Sequence, residues 1–335
     1  MSEAEWRTRG AAMGRAARRL PWRIAAWLDE GERVWGKTYR QAAAVVGLSV
    51  GRLHNLLSVY RAFDSSRRHE ILSPEHHEVV RRLPAEEQDR LLALAEQSHL
   101  GVREVKRRAR EIELQVARAA VMAEAPAAAD EMVRHCDMRD FLPTLRAVDV
   151  ILTDPPYDAA SLPLYVDLAR LAATALAPAG LLAVMFGGLG AAELNTVTAM
   201  HAHLPFRAVL YMVFTASNRL TRHWPSGLLS QTKPLTVFGR GTKKLPAVTN
   251  TVLVSETEKT LHPWQQPLGA MRAFVERLSV PGDLVVDPFC GTGTTGVAAV
   301  TLGRRFVGCD VDGEIVQVAR ARIGAAKQTA KEAAA

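Results

Sequence analysis

The tetrapeptide Asp154-Pro155-Pro156-Tyr157 combines residue types that could hold and activate an amine. Its two prolines fix φ and make the turn rigid, so the Asp154 carboxylate and the Pro155 carbonyl would stand at defined positions. Both groups accept hydrogen bonds, and an exocyclic amine has two N–H donors. Holding both hydrogens would free the nitrogen lone pair to attack an electrophilic methyl group. Tyr157 offers a flat face on which a base taken out of a duplex could stack.

A second group of residues, near the C-terminus, could cradle a nucleotide. Gly291, Gly293 and Gly296 form a GxGxxG pattern that follows the apolar run 283–286 and precedes the helical stretch 297–300. Strand, glycine turn and helix let a backbone approach a ligand closely. A later apolar run ends in Asp310, at the distance where an acid can bind ribose hydroxyls. Both features fit NAD enzymes and methyltransferases alike, so this pattern alone leaves the two classes open.

These residues need a sheet that brings strand ends together, and residues 126–335 predict one. Apolar runs alternate with amphipathic helices, which indicates an α/β fold with a doubly wound, mostly parallel sheet. The predicted strands are 133–136, 148–152, 181–186, 208–214, 235–238, 284–286 and 306–309, and examples of the predicted helices are 162–176, 268–278 and 313–323. Asp154 would follow the second strand, at the sheet edge where ligands bind.

Residues 1–125 predict a separate, all-helical domain. The stretch Thr38 to Leu57 is typical of a helix-turn-helix, with Gly47 in the turn and Ser49 capping the second helix. The second helix would expose Arg52, His54 and Asn55, side chains of the kind that read base edges. A plain helical hairpin is the alternative. Four early tryptophans, Trp6, Trp22, Trp27 and Trp35, are expected to anchor the core of this domain.

Composition adds limits on partners and compartment. The first 120 residues hold 22 basic and 16 acidic side chains and so carry +6 of the net charge of +7, which suggests a polyanionic partner. Three cysteines without CxxC spacing favour a reducing cytoplasm over disulfides or zinc, and we expect no bound metal. No apolar run reaches the length of a membrane span, and the polar N-terminus is unlike a signal peptide.

Residues 131–324 resemble the β-type amino-group DNA methyltransferases that use S-adenosylmethionine, because the Asp-Pro-Pro-Tyr motif precedes the Asp-Pro-Phe-x-Gly-x-Gly motif. The resemblance implies a Rossmann-like methyltransferase fold and assigns catalysis to residues 154–157. Asp287, Pro288, Phe289, Gly291, Gly293, Thr294 and Thr295 match the motif around the methionine part of the cofactor; Asp310 and Val311 match its ribose site, and Asp137 and Met138 its adenine site.

The segment 262–267 departs from the family pattern, His-Pro-Thr-Gln-Lys-Pro. It reads His-Pro-Trp-Gln-Gln-Pro, so the threonine and lysine are missing. His262 and Gln265 stay as candidate contacts to the amino-acid end of the cofactor, and Lys259 is an alternative anchor. Residues 38–111 also resemble the helical DNA-binding domain of ParB-type partition proteins, which implies DNA binding. In the loop-rich stretch between 214 and 261, Asn218, Arg219 and Arg222 are further candidate DNA contacts.

The favoured interpretation is transfer of a methyl group to the N6 amine of adenine in double-stranded DNA, because Asp at position 154 accompanies adenine in this family. Cytosine N4 or RNA as target stays open. So does a DNA-binding regulator with an inactive methyltransferase body; an NAD-dependent oxidoreductase would leave residues 154–157 unexplained. We expect a bacterial or phage-encoded protein in the cytoplasm, associated with the nucleoid and not with a membrane; a homodimer stays open.

Overall fold

The structure, a computed structural model, describes residues 3–36, 38–124, 132–215, 221–222, 229–241, 249–255 and 258–334. Side chains before residue 19 and those of residues 221, 222 and 334 are not described. The chain divides into two compact units, Met1–Val116 and Ala117–Ala335. Each unit is considered by itself.

The first unit is all-helical. Its helices are α1 (Glu3–Trp35), α2 (Tyr39–Val46), α3 (Val50–Ala62), α4 (Pro74–Val80), α5 (Ala85–Gln97) and α6 (Val102–Ala123), the last of which continues past the division between the units. Trp22 is buried and its indole N–H donates to the Leu72 carbonyl. Trp27 and Trp35 are 42% and 62% exposed, so the prediction that they anchor the core is wrong. The side chain of Trp6 lies outside the described part of the chain.

Local sequence signals shape the turn between α2 and α3. Thr38 and Gln41 form a capping box at the start of α2, and Ser49 accepts a hydrogen bond from the Arg52 amide at the start of α3. Gly47 ends α2 with φ +73, a left-handed conformation that glycine adopts without steric cost. The two helices meet at 107°. The predicted helices, turn and caps are therefore confirmed, whereas kinship with ParB-type domains stays a prediction.

The second unit is built on a mixed sheet. Its strands are β1 (Val133–His135), β2 (Val148–Thr153), β3 (Leu176–Met185), β4 (Phe206–Phe214), β7 (Thr232–Phe238), β8 (Thr251–Val254), β9 (Leu284–Asp287) and β10 (Arg305–Asp310), with a separate two-stranded ribbon of β5 (Thr221–Arg222) and β6 (Leu229–Ser230). Its helices are α7 (Met138–Phe141), α8 (Leu162–Ala175), α9 (Ala191–His201), α10 (Leu268–Leu278), α11 (Thr294–Thr301) and α12 (Gly313–Ala334).

The strand order across the sheet is β1-β10-β9-β2-β3-β7-β4-β8. The first five strands are mutually parallel, β7 runs antiparallel between β3 and β4, and β8 pairs parallel with β4. This confirms the predicted α/β class with a mostly parallel sheet and an N-terminal helical region. Strand β8 and the β5–β6 ribbon were not predicted, and β3 begins five residues earlier than the sequence indicated.

Two apolar cores cover the two faces of this sheet. Because side chains alternate along a strand, Val150 and Leu152 of β2 join one core while Ile151 joins the other. Helices α10, α11 and α12 pack on the first face, and α7, α8 and α9 pack on the second. Within the described residues, no single helix is long and apolar enough to cross a membrane; the bent pair α2–α3 passes that test only by length and composition.

Candidate active site

Four carboxylates stand at the same edge of the sheet, each at the carboxyl end of a parallel strand. Asp310 ends β10 and Asp287 ends β9, while Asp154 directly follows β2 and Asp137 follows β1 by two residues. These strands are neighbours in the order β1-β10-β9-β2. The sequence predicted that the proline turn and the glycine loop would meet at one edge, and the strand order brings them there.

A buried hydrogen-bond network joins the two motifs. The Thr153 hydroxyl, next to Asp154 in the chain, donates to Asp287 Oδ1 at 2.7 Å, and the Thr295 hydroxyl of α11 donates to Asp287 Oδ2 at 2.6 Å. The Phe289 amide adds a bond to Oδ1 at 3.1 Å. Burial raises the pKa of Asp287 to about 6, although these donors act in the opposite direction. Asp287 thus links β9, β2 and α11 through both of its oxygens.

Both oxygens of Asp154 already have protein partners. The Tyr157 hydroxyl donates to Oδ1, while Lys233 Nζ and Gln266 Nε2 lie 2.9 Å and 2.5 Å from Oδ2. The Lys233 ammonium also stands 4.8 Å from the centroid of the Tyr157 ring. Burial, together with the nearby Asp154 charge, raises the pKa of Tyr157, so this phenol stays a proton donor.

The proline turn is held from below by a buried tyrosine. Tyr165 of α8 directs its hydroxyl toward the Pro155, Pro156 and Met185 carbonyls, at 3.2–3.4 Å, and its ring packs against Phe186. Gly187, two residues after β3, comes so close to Tyr157 that a Cβ there would lie 3.1 Å from the ring. The turn is therefore fixed by packing as well as by its prolines.

The two glycines Gly291 and Gly293 of the glycine loop have different surroundings. Gly291 has φ +50 with open space at its missing Cβ, and its amide donates to Asp310 Oδ2 at 2.9 Å. Gly293 has φ +79, and a Cβ there would lie 3.0 Å from the Ile323 side chain of α12. Arg322 donates to the Thr292 carbonyl at 2.6 Å, and burial lowers its pKa. Close helix packing and a buried guanidinium thus set the shape of the loop.

The remaining candidates for the cofactor site range from buried to exposed. Asp137 caps α7 by accepting the Arg139 amide, and Met138 is buried in the core under that helix. Phe289 is partly buried, and the Pro288 carbonyl accepts a hydrogen bond from the Cys309 thiol. Val311 is exposed beyond β10, while Thr294 and Thr295 are buried at the start of α11. Asp137 and Asp310 are the carboxylates of this group that lie nearer solvent.

The divergent segment 262–267 contributes through a residue that the sequence did not single out. Gln265 is buried, and its side-chain oxygen accepts from the Leu261 amide, so it closes its own turn. The neighbouring Gln266 reaches Asp154 instead. His262 lies near Asp310 and Asp312; burial and the Arg118 charge lower its pKa, and the two carboxylates act in the opposite direction.

The candidate DNA contacts fall into two groups. Arg52, His54 and Asn55 are exposed on α3, and Arg52 makes a surface ion pair of 3.4 Å with Glu75. Asn218 and Arg219 lie outside the described residues, and Arg222 is placed only by its backbone, in β5. In the described ranges no cluster of His, Cys, Asp and Glu could hold a metal ion.

Sequence reasoning missed two residues that matter to this site, Tyr165 and Gln266, and it missed the contact of a third, Lys233, with Asp154. Lys233 is separated from Asp154 by 79 residues, and it arrives from the antiparallel strand β7. From the sequence, Lys233 was one of the basic residues in the loop-rich stretch between 214 and 261, two residues before the predicted strand 235–238. Tyr165 could have been noticed as the lone hydroxyl on the apolar face of α8.

A sequence comparison finds a similarity over much of this unit. Residues 165–321 match a family model described as DNA methylase. Over these residues the chain is similar to DNA methylases. The match starts at Tyr165, eight residues after Tyr157, and it includes the glycine loop and Asp310.

Two curated relatives share short stretches with this chain. Type II methyltransferase M2.DpnII of Streptococcus pneumoniae is 43% identical over 68 residues, which is 20% of this chain and 25% of that protein. DNA adenine methyltransferase YhdJ of Escherichia coli K12 is 35% identical over 71 residues, 21% of this chain and 24% of that protein. The chain thus spans about a quarter of the length of each.

A solved structure supports the fold of the second unit. The PvuII DNA methyltransferase, described as cytosine-N4-specific, superimposes with a TM-score of 0.51 at 17% identity over 60% of this chain and 89% of its own. At that identity the likeness establishes the fold alone. The predicted Rossmann-like methyltransferase fold is confirmed.

Proposed function

We propose that this protein is an S-adenosylmethionine-dependent DNA methyltransferase that acts on an exocyclic amine, with adenine N6 as the favoured target. One observation carries the proposal. The Thr153–Asp287 hydrogen bond of 2.7 Å ties the amine-holding turn to the glycine loop on adjacent strands. A group bound at the loop and an amine held at the turn would therefore share one pocket edge.

The residues around the glycine loop fit the cofactor. Gly291 combines a positive φ with open space where a side chain would stand, which suits close approach by a ligand. Asp310 has one oxygen bonded to the Gly291 amide and the other to the Asp312 amide, and a carboxylate keeps further lone pairs for ribose hydroxyls. Asp137 would receive the adenine moiety. When bound, the cofactor supplies an electrophilic methyl group on a sulfonium.

The turn supplies the amine-holding chemistry. Asp154 and the Pro155 carbonyl would accept the two amine hydrogens, so that the nitrogen lone pair is directed away from them toward the glycine loop. Tyr157 would stack on the base that has left the duplex, which contributes about 1–3 kcal/mol. Asp154 is an acceptor next to the nitrogen that becomes positively charged, so it stabilises that charge and can take the proton released.

The helical unit is proposed to bind double-stranded DNA through α3. Its exposed Arg52, His54 and Asn55 stand at the N-terminal end of a helix that follows a tight turn, the arrangement in which such helices enter the major groove. The excess of six positive charges in residues 1–120 supports a polyanionic partner. Dimerisation and a cytoplasmic, nucleoid-associated location belong to the same proposal.

Cytosine N4 is the second candidate target, because the same fold serves a protein described as cytosine-N4-specific. Incubating unmethylated plasmid DNA with the protein and S-adenosylmethionine carrying a deuterated methyl group tests both. Digestion to nucleosides and mass analysis should find the label on deoxyadenosine; label on deoxycytidine would reassign the base, and no label would refute the activity.

Asp154→Ala sharpens this experiment. Asp154→Ala should keep cofactor binding by calorimetry but lower the methylation rate at least about a thousandfold, since it removes both an amine acceptor and the compensating charge. Asp167→Ala, which removes a carboxylate from the surface of α8, is the matched control and should stay active. A wild-type protein that binds no cofactor would favour a DNA-binding regulator instead.

A further inference from the structure

Lys233 occupies an unusual place for a strand lysine. It lies near the start of β7, and its side chain is only 11% exposed. Its ammonium is 2.9 Å from Asp154 Oδ2 and 4.8 Å from the centre of the Tyr157 ring. A single cation therefore contacts both the carboxylate and the aromatic ring that the proposed function gives to the target base.

These contacts leave little room for a base to bind in the same way. An ammonium offers N–H donors to a carboxylate, as an amine does, and it is attracted to the face of an aromatic ring. Asp154 Oδ2 also accepts from Gln266, and Oδ1 accepts from the Tyr157 hydroxyl. A base that stacks on Tyr157 and donates to Oδ2 must displace Lys233.

Electrostatics point to the same displacement. During methyl transfer the amine nitrogen becomes positively charged until it loses a proton, and a second cation on the same carboxylate would oppose that charge. Lysine has a flexible four-carbon stem, so its ammonium can move while the strand stays in place. DNA brings an anion that could receive it, because every nucleotide carries a phosphate.

We propose that Lys233 is a specificity-determining residue that fills the target-amine position in the absence of DNA and leaves it when a backbone phosphate takes the ammonium. The site would then open to a nucleotide within DNA and stay closed to free nucleosides, which have the same amine but no phosphate. This inference rests on the proposed methyltransferase function.

The test compares wild type with Lys233→Met, which keeps the length of the stem and removes the charge. The substrates are plasmid DNA and the free nucleosides deoxyadenosine and deoxycytidine, with labelled S-adenosylmethionine. For Lys233→Met we expect kcat/KM on the nucleoside to rise about tenfold or more. On DNA, KM should rise and the dependence of binding on salt should weaken by about one ion, as for loss of a phosphate contact.

Controls separate this role from a structural one. Lys233→Arg keeps a cation and should exclude nucleosides as wild type does, and Lys327→Met removes an exposed lysine from α12 and should change neither substrate. If Lys233→Met does not fold, Lys233→Gln replaces it. Nucleoside affinity, measured by saturation-transfer NMR, should be at least about tenfold higher in the methionine or glutamine variant.

The outcomes distinguish this proposal from the proposed function. The role of Lys233 would be overturned if the variant changed activity on DNA and on nucleoside by the same factor. It would also be overturned if wild type and variant bound the nucleoside equally, or if neither bound it. Both results would leave DNA methylation intact. Absence of methyl transfer to DNA by the wild type would instead refute the function, and nucleoside binding would still report on access to the site.

Discussion

Each of the two units buries an ionisable side chain, and burial shifts the two pKa values in opposite directions. The helical unit encloses a neutral imidazole, because His77 packs between the Trp22 and Phe63 rings and its Nε2 accepts from the His69 amide. The sheet unit encloses the carboxyl of Asp287 among hydroxyl donors. Burial lowers the pKa of His77 to about 4 and raises the pKa of Asp287 to about 6, since it disfavours the charged form of each.

The units differ as well in how they position their candidate functional residues. On α3, neighbours along the chain fix Arg52 and Asn55, through the Gly47 turn and the Ser49 cap. In the sheet, Asp154 depends on partners 79 and 112 residues away. Local signals can therefore specify the proposed DNA-reading helix, whereas the candidate catalytic pocket needs the complete sheet. Changes in the first unit should affect binding, and changes in the second should affect turnover.

The largest expected effect is acid destabilisation of the helical unit. Unfolded His77 binds a proton near pH 6.5 and folded His77 only near pH 4, so its contribution is complete above pH 6.5 and is lost as the pH falls to 4. The shift corresponds to about 3–4 kcal/mol. Hydrogen exchange at pH 7 and 4.5 should show lost protection in α3, α4 and α5. His77→Gln, which can still accept from His69 but does not titrate, should flatten this dependence; equal protection at both pH values in wild type would contradict it.

The sheet unit should respond in the opposite direction. Folded Asp287 binds its proton more tightly than the unfolded chain does, so the contribution is complete below about pH 3.8 and is lost as the pH rises through about 6. The difference corresponds to about 3 kcal/mol. Exchange of β9 and β2 amides should report it, with Asp287→Asn removing the dependence. Protection in these strands that increases from pH 4 to 7 would rule out a buried carboxyl of raised pKa.

Much of this architecture could be predicted because the signals were local. Apolar runs located the parallel strands within a few residues, and Gly47 and Ser49 marked helix ends correctly. Placing Asp154 and Asp287 at one edge needed only the rule that parallel strands share their carboxyl ends. Strand β8 escaped because a run of four residues is too short to stand out.

The parts that could not be predicted depend on register and side-chain direction. Lys233 faces Asp154 because β7 runs antiparallel to β3, with Leu235 opposite Met185. No periodicity along the sequence fixes that partner. Gln265 and Gln266 are adjacent and chemically identical, yet the turn buries the first and sends the second to the site. Trp27 and Trp35 were expected to anchor the core of the helical unit, but both are exposed on α1.

A double substitution on α3 tests the assignment of binding to the helical unit. Arg52→Ala with Asn55→Ala should weaken DNA binding at least about thirtyfold, since the two base-reading contacts contribute about 1–3 kcal/mol each. The value of kcat at saturating DNA should not change, because no residue of the sheet is altered. Arg90→Ala, which removes an exposed arginine from α5, is the charge-matched control. Unchanged affinity, or a loss equal to that of the control, would show that α3 is not the reading helix.

The smallest expected effect concerns the link between the two motifs of the sheet. Thr153→Val keeps the shape of a buried side chain but removes the hydrogen bond to Asp287. Thr236→Val is its match, because Thr236 is equally buried in the same sheet and donates only to the Val184 carbonyl. Each substitution should lower the free energy of unfolding by about 1 kcal/mol. Only Thr153→Val should also lower kcat, by about tenfold. A small displacement of Asp154 relative to the glycine loop would misalign the amine with the methyl group. Equal losses of stability with equal turnover in the two variants would mean that the bond holds strands together without positioning the amine.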